Sequence, residues 1–442
     1  MKTIKPETLK TASYDPKYTA DSNIFTIQAF YNAQYEKGII SKRKRSSVIE
    51  QQTKLLVSII SNFHIKGEEA SLTITLSKGR FPKKSRYTFN WYTYRNMSAV
   101  INILTELEYI DIIKGRYVID GANTPTIISL TGNGYDLLDE IHNVRNVIPE
   151  PIQLVEKIKQ GNKETRNYID YPETDISSTY RDEMNTINQY LYSLDITHED
   201  ETLAKTGLYR VFHEPFNKHG RLYGGSWYNL KDRLHLLINN KPVAELDFTA
   251  CSLSILCNLN NVTVDGDPYQ KGKLKIYPRK AIKTFINSMI QRPDAIRFPK
   301  GLKRLFGIEG EKHAFSMVKS DVLTEYPFLS HVKVDVMYID STIVVQVMLE
   351  AIKQGLELIP LHDAFYTTQE GESLLVNIIN SVTTLITGNT LDICINKAFL
   401  SSPSPLTGTL KLRATNNKLD KVVQFRTAIT QKQGHTNEGC MG

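Results

Sequence analysis

The chain has 442 residues, 41% hydrophobic and 23% charged, enough for two or three domains around substantial cores and ordinary for a soluble globular protein. Its formal charge of +7 permits nucleic-acid binding without establishing it. No run approaches the length of a membrane span, the N-terminus lacks the apolar stretch of a signal peptide, and Cys251, Cys257, Cys394 and Cys440 form no C-x-x-C pair, so no membrane-spanning helix and no zinc site is expected and a reducing, cytoplasmic setting is the simplest account.

Residues 1–45 read as a polar arm with one short helix near Ile24 to Tyr35, ending in the basic run Lys42-Arg43-Lys44-Arg45. From 46 to 145 the pattern becomes periodic. Ser46 or Ser47 opens a helix with Val48, Leu55, Leu56, Ile59 and Ile60 on its apolar face. SLTITL (71–76) alternates as a strand, and a helix from Tyr94 to Glu108 carries Met97, Val100, Ile101, Ile103 and Leu104 on one side. IDIIKGRYVID and TPTIISL read as a hairpin, after which Thr131 caps the helix GNGYDLLDEI. Helix, strand, helix, hairpin, helix is the order of a winged helix, and ELEYIDIIKG and ISLTGNGYDLLDEI resemble parts of winged-helix regulators.

Between residues 40 and 96 stand twelve Lys or Arg against three Glu, interleaved with Phe81, Tyr87, Phe89, Trp91, Tyr92 and Tyr94. Cations answer phosphates and aromatic faces stack on bases, so this half is expected to contact nucleic acid, with Lys42, Arg43, Lys44, Arg45, Lys83, Lys84, Arg86 and Arg95 as its candidates. The plainer alternative is a solvated basic face over packed aromatics, and many winged helices bind only protein.

Residues 146–205 read as a Pro-containing linker and a polar helix, a connector or reduced thumb. The segment 206–400 carries the chemistry. KPVAELDF followed by SLSILCNL reads as a strand then a helix, with Asp247 at the strand's end. LELIPL and AFYTT read as two strands with His362-Asp363 at their turn, and in YPRKAIKTFINSMIQR Arg279 and Lys283 share a helical face beside Lys280 and Arg292. Any one of these acids, alone, is most simply a helix cap or turn former. Together, two carboxylates on neighbouring strands suit two divalent ions, and a cationic helix suits a triphosphate. Asp340 reads as the N-cap of the helix TIVVQVMLEAIKQ, and Asp265-Gly266-Asp267-Pro268-Tyr269 as a turn. The tail 401–442 is polar and expected to be partly disordered.

Asp247-Phe248-Thr249-Ala250-Cys251-Ser252-Leu253-Ser254-Ile255-Leu256 resembles the first palm motif of family A DNA polymerases. His362-Asp363 after IPL resembles the last palm motif, shared with phage-type single-subunit RNA polymerases. Arg279-x-x-x-Lys283 is similar to the start of the fingers motif between them, and His219-Gly220-Arg221-Leu222-Tyr223 resembles an upstream Arg-Gly-Arg-x-Tyr segment of the RNA polymerases. The resemblance spans about 205–370 and keeps the family's order. It implies an α+β palm with helical fingers, Asp247 and Asp363 as ligands of two Mg²⁺ or Mn²⁺ ions, His362 by the primer end, Lys283 and Arg279 on the triphosphate, and Arg221 near template or primer. The family's fingers tyrosine falls at Gln291 and its sugar-excluding glutamate at Ser252, so nucleotide positioning and sugar choice depart from the pattern. No proofreading motif is present. The implied function is a compact polymerase or primase-polymerase using nucleoside triphosphates and a nucleic-acid template, DNA more than RNA, in the replication of a mobile element. The competing reading is a non-catalytic DNA-binding initiator or regulator on a palm-like scaffold.

Overall fold

A computed structural model describes residues 11–397 apart from 23–26, 68, 116–123, 161–162, 200, 214–215 and 292–313. The fold is mixed α+β. Its apolar side chains gather in two clusters, one drawn from residues between Ala12 and Val144 and the other mainly from Ile152 to Ile393.

In the first cluster the elements are β1 (Thr11–Ser13), β2 (Tyr18–Ser22), α1 (Ile27–Glu36), α2 (Ser46–Lys66), β3 (Ser71–Ile74), α3 (Tyr94–Glu106), β4 (Ile110–Ile113), β5 (Thr126–Leu130), α4 (Gly132–Asp139) and β6 (Ile141–Asn146). Helix α2 buries Leu55, Leu56, Ile59, Ile60 and Phe63 almost completely, the apolar stripe its sequence spells out. Thr93 caps α3 by accepting from the Asn96 amide, and Thr131 caps α4 by accepting from that of Gly134. A sheet in the order β1-β3-β5-β4 lies beside these helices. The first segment is not a free arm: β1 pairs in parallel with β3, and β2 pairs antiparallel with β6. These partners lie some 60 and 120 residues away, so a polar local composition hid them. The expected Ile24 start of α1, the 116–121 part of the hairpin, Arg292, Cys440 and the 401–442 tail lie outside the described residues.

The second cluster holds β7 (Ile152–Gln160), β8 (Lys163–Tyr168), α5 (Asp175–Ser193), β9 (Ile196–His198), β10 (Glu201–Thr202), β11 (Lys205–Thr206), β12 (Tyr209–His213), β13 (Lys218–Tyr223), β14 (Leu236–Ile238), β15 (Lys241–Phe248), α6 (Cys251–Leu259), α7 (Arg279–Gln291), α8 (Ala314–Glu325), α9 (Val336–Lys353), β16 (Leu358–Leu361), β17 (Ala364–Thr368), α10 (Glu372–Thr387) and β18 (Ile393–Lys397). The expected linker is instead the hairpin β7–β8, an arm of the four-stranded sheet β13-β12-β7-β8. Ile152 and Leu154 in β7 are buried, a short strand signal that the proline-containing stretch before it obscures.

The site rests on the other sheet. Strand β15 pairs with β14 at its start, with β17 along Val243 to Asp247, and with β18 on its other edge. Asn239 and Asn240 join β14 to β15 with φ of 50° and 63°, the left-handed pair a two-residue hairpin turn requires. Helix α9 buries Ile343, Val344, Val345, Val347 and Met348. It also presses on the backbone of β13: Ser341 Oγ donates to the His219 carbonyl at 3.0 Å, and a Cβ on Gly220 would meet Ser341 Oγ at 2.7 Å. Gly220 has φ of +73°, so both conformation and space call for glycine there.

Candidate active site

Strand period two decides what β15 offers to the cleft. Ala244, Leu246 and Phe248 are buried, so Glu245 and Asp247 share the opposite face and stay partly open. Asp247 lies opposite Ala364, the first residue of β17, and the Phe248 amide reaches the Asp363 carbonyl at 3.5 Å. The two aspartates expected to act together are therefore brought to adjoining strand ends. Burial pushes the Asp247 carboxyl up to about 6, the negative charges of Asp363 and Glu245 push in the same direction, and Lys283 opposes them. Lys283 is exposed on α7, on the side that faces this corner.

His362 forms the β16–β17 turn with φ of 53°, and its ring lies 5.3 Å from that of Tyr228 and 6.3 Å from that of Tyr223. Burial and the Arg221 guanidinium hold its imidazole below the usual histidine range despite Asp363. Arg279 pairs with Asp267 and lies over the Tyr269 ring at 5.4 Å. Asp267 also caps the turn expected there, accepting from the Tyr269 amide at 3.0 Å. Ser252 sits half-exposed in the first turn of α6, next to Cys251. Gln291 is exposed at the last residue of α7, roughly 18 Å along the axis from Arg279 by helical rise, and joins none of these groups.

Asp340 is not a helix cap. The cap of α9 is Asp335, which accepts from the Tyr338 amide at 2.9 Å, and the helix runs on through Asp340. Asp340 is almost fully buried and holds Arg221 on two nitrogens, at 2.6 and 3.1 Å, while the Cys251 thiol donates to its other oxygen at 3.6 Å. Burial pushes Asp340 up to about 6 against the pull of Arg221, with Asp363 adding to the rise. Arg221 is thus committed to a carboxylate rather than offered freely to a nucleic-acid strand. Asp340 and Glu245, which binds the Tyr366 hydroxyl and the Asn396 amide, are the site residues that sequence reasoning missed. Glu245 had a signal, its two-residue offset from Asp247.

The basic candidates divide. Lys42, Arg43, Lys44, Arg45, Lys83, Lys84 and Arg95 are exposed and form no ion pair among the described residues, although Arg43 and Lys44 lie over the Tyr35 and Tyr31 rings. Lys83 and Arg95 line a groove of about 800 Å³ with Lys78, Tyr94, Ser98 and Asn102. Arg86 departs from the expectation of a free cation. It binds Asp170 at 2.6 Å, Glu173 at 2.9 Å and the Tyr171 carbonyl at 2.6 Å, and stacks 3.6 Å over the Tyr171 ring, so it bolts the first cluster to the second. Phe81, Phe89, Trp91 and Tyr92 likewise pack on the first core.

Among the described residues no group of three or more His, Cys, Asp or Glu side chains stands at metal-holding spacing, and no helix is long and apolar enough to cross a membrane. No protein-family model and no curated protein sequence matches the chain. Among solved structures it is similar to the POL domain of Pol1 from M. smegmatis in complex with DNA primer-template and dNTP, at TM-score 0.31 and 8% identity, over 50% of each chain. The chain thus spans half of that domain, and so slight a likeness decides neither fold nor chemistry.

Proposed function

We propose that this protein is a templated nucleotidyltransferase, a compact polymerase or primase-polymerase that joins nucleoside triphosphates along a DNA, less readily RNA, template. The observation that carries the reading is the pairing of Asp247 with Asp363 at adjoining strand ends, with Lys283 opposite. Two carboxylates at one corner, where the charge of Asp363 adds to the rise of the Asp247 carboxyl, are an oxygen donor set suited to hard divalent cations. When bound, two Mg²⁺ or Mn²⁺ ions would activate a 3′-hydroxyl and stabilise the leaving oxygen, taking water and phosphate for their remaining ligands. Asp247 and Asp363 hold that charge in place. Lys283 neutralises the triphosphate, and Arg279 extends the cationic face once phosphate competes with Asp267. Asp340 fixes Arg221 beside the corner, and the neutral His362 ring lines the turn where a primer end would lie.

In this reading β15 to β17 form a palm, α7 begins the fingers, α5 and its hairpin serve as a reduced thumb, and 46–145 is a winged helix whose exposed cations meet nucleic acid. The small Ser252 leaves room for a ribose 2′-hydroxyl, so ribonucleotides are substrates. A cytoplasmic enzyme of mobile-element replication fits these parts.

Primer extension with Mg²⁺ tests the chemistry. Asp247→Asn or Asp363→Asn should keep the circular-dichroism spectrum and lose incorporation on the order of 10³-fold or more, since an amide cannot replace a charged ligand. Normal extension by either variant ends the assignment, and absence of extension by the unmodified protein leaves the DNA-binding initiator. Ser252→Glu should suppress ribonucleotide use while deoxynucleotide use survives; rejection of ribonucleotides by the unmodified protein sinks the sugar reading.

A further inference from the structure

We propose that the cleft between the two cores captures a single unpaired nucleobase from a nucleic-acid strand. The cleft has a volume of about 240 Å³ and is lined by Tyr87, Phe89, Tyr92, Tyr168, Tyr209 and Gln153. That is less than the usual pocket of a drug-sized ligand, and it suits one ring system rather than a base pair. Rings come from both sides of the junction. Those of Tyr87 and Tyr168 are 5.0 Å apart, and Tyr87 is fixed because its hydroxyl donates to the Ile169 carbonyl at 2.6 Å and accepts from the Leu154 amide at 3.2 Å.

Gln153 is the polar side chain among these lining residues. Its side-chain carbonyl oxygen is buried without a hydrogen-bond partner. A buried acceptor left unmade is costly, and a donor brought by a ligand relieves it. Unpaired bases carry such donors on their edges, the exocyclic amino groups of adenine, cytosine and guanine and the ring N–H of guanine and thymine.

The neighbourhood favours a strand. Pro82 lines both this cleft and the groove that holds Lys78, Lys83 and Arg95, and exposed Lys17 stands at the cleft itself. A cationic track beside aromatic faces is the arrangement that holds single strands, phosphates on the track and bases on the rings. These cations favour a polyanion over a proline-rich peptide, the other common occupant of aromatic clefts. The ion pairs of Arg86 hold the segment carrying Tyr87 and Phe89 against the second core, so the cleft is preformed.

This inference rests on the nucleic-acid part of the proposed function and not on its chemistry, so the test uses the full chain in EDTA without nucleotide. A short single-stranded oligodeoxynucleotide with one 2-aminopurine should lose emission on saturation, because the probe stacks. Tyr168→Ala, which replaces an exposed ring, should abolish the quench and weaken single-strand binding about tenfold, with duplex affinity unchanged. Gln153→Leu should keep the quench but weaken single-strand binding, by less than Tyr168→Ala does. Binding without quenching, or unchanged quenching in Tyr168→Ala, overturns the cleft and leaves the nucleic-acid reading standing. A proline-rich peptide that binds while the oligonucleotide shows no quench overturns it in favour of a peptide. If neither single strand nor duplex binds, both readings fall.

Discussion

The basic stretch of the first half and the arginines around the second core use cations in opposite ways. Around the first core, Lys42 to Arg45, Lys83, Lys84 and Arg95 stand exposed with no ion pair among the described residues. Around the second, Arg210 meets Glu183, Arg221 meets Asp340 and Arg279 meets Asp267. An unpaired surface cation attracts any phosphate and positions nothing. A cation held by a carboxylate has lost side-chain freedom and is useful for geometry. Recruitment therefore belongs to the exposed cations of the basic stretch and placement to the paired arginines of the second core, and Arg86, the cation of the basic stretch that joins the two cores, is also the one that is most heavily paired.

The sharpest way to break this contrast is Arg210. It is 1% exposed, donates to the Gly220 carbonyl at 3.0 Å, reaches Glu183 at 3.5 Å, and lies 4.9 and 4.8 Å from the Tyr180 and Phe212 rings. It thereby supports the hairpin that carries Arg221. Arg210→Met leaves Glu183, already pushed up by burial, without its counter-ion and should cost about 3–5 kcal/mol in urea unfolding. Arg210→Met with Glu183→Leu should recover much of that loss. A single-variant cost below about 1 kcal/mol would mean that the pair is incidental and the contrast empty.

How much of this was legible in the sequence depends on distance along the chain. The β16–β17 turn with His362 and Asp363, the strand that carries Asp247 near its end and the α7 face with Arg279 and Lys283 are set by local periodicity, and each of these elements forms where that pattern places it. Asp340 reads locally as a cap because a helix begins nearby; its partner Arg221 is 119 residues away, and nothing local marks the pair. Arg86 read as one more basic residue for the same reason, its acids lying 84 and 87 residues on. The aromatics of 81–94 were visible, but not that most of them are spent on packing. Composition shows which groups are present, and only tertiary pairing shows which are free.

A smaller effect tests the unpaired half. If Lys83, Lys84 and Arg95 neutralise phosphates, duplex affinity should fall linearly in log–log plots against salt. Replacing any one with Ala should lower that slope by about 1 and weaken binding alike on unrelated sequences. The same replacement at Arg86 should leave the slope unchanged and lower the melting temperature instead, since its charge is already answered within the fold. A slope that drops equally in the Arg86 variant would erase the distinction between recruiting and bolting cations.

The smallest expected effect runs against intuition. The Asp247 carboxyl rises from an ordinary 3.8 to about 6 in the fold, through burial and then through Asp363 and Glu245. Between those values the folded chain holds more protons than the unfolded chain, so stability falls as pH rises through the window and stays lowered above it. Asp247→Asn removes that burden without changing shape. In EDTA at pH 8 the variant should melt a little higher than the unmodified protein, roughly 1–4 °C given the water that screens this half-open group. Below pH 4 the difference should vanish, because the native carboxyl is then neutral too. Mg²⁺ should reverse the order, raising the melting temperature of the unmodified protein and leaving the variant unmoved, since a ligand stabilises only the state that binds it. An Asn variant that melts lower at pH 8 in EDTA would show the carboxylate to be satisfied by its neighbours, and a satisfied Asp247 has no call on a metal ion.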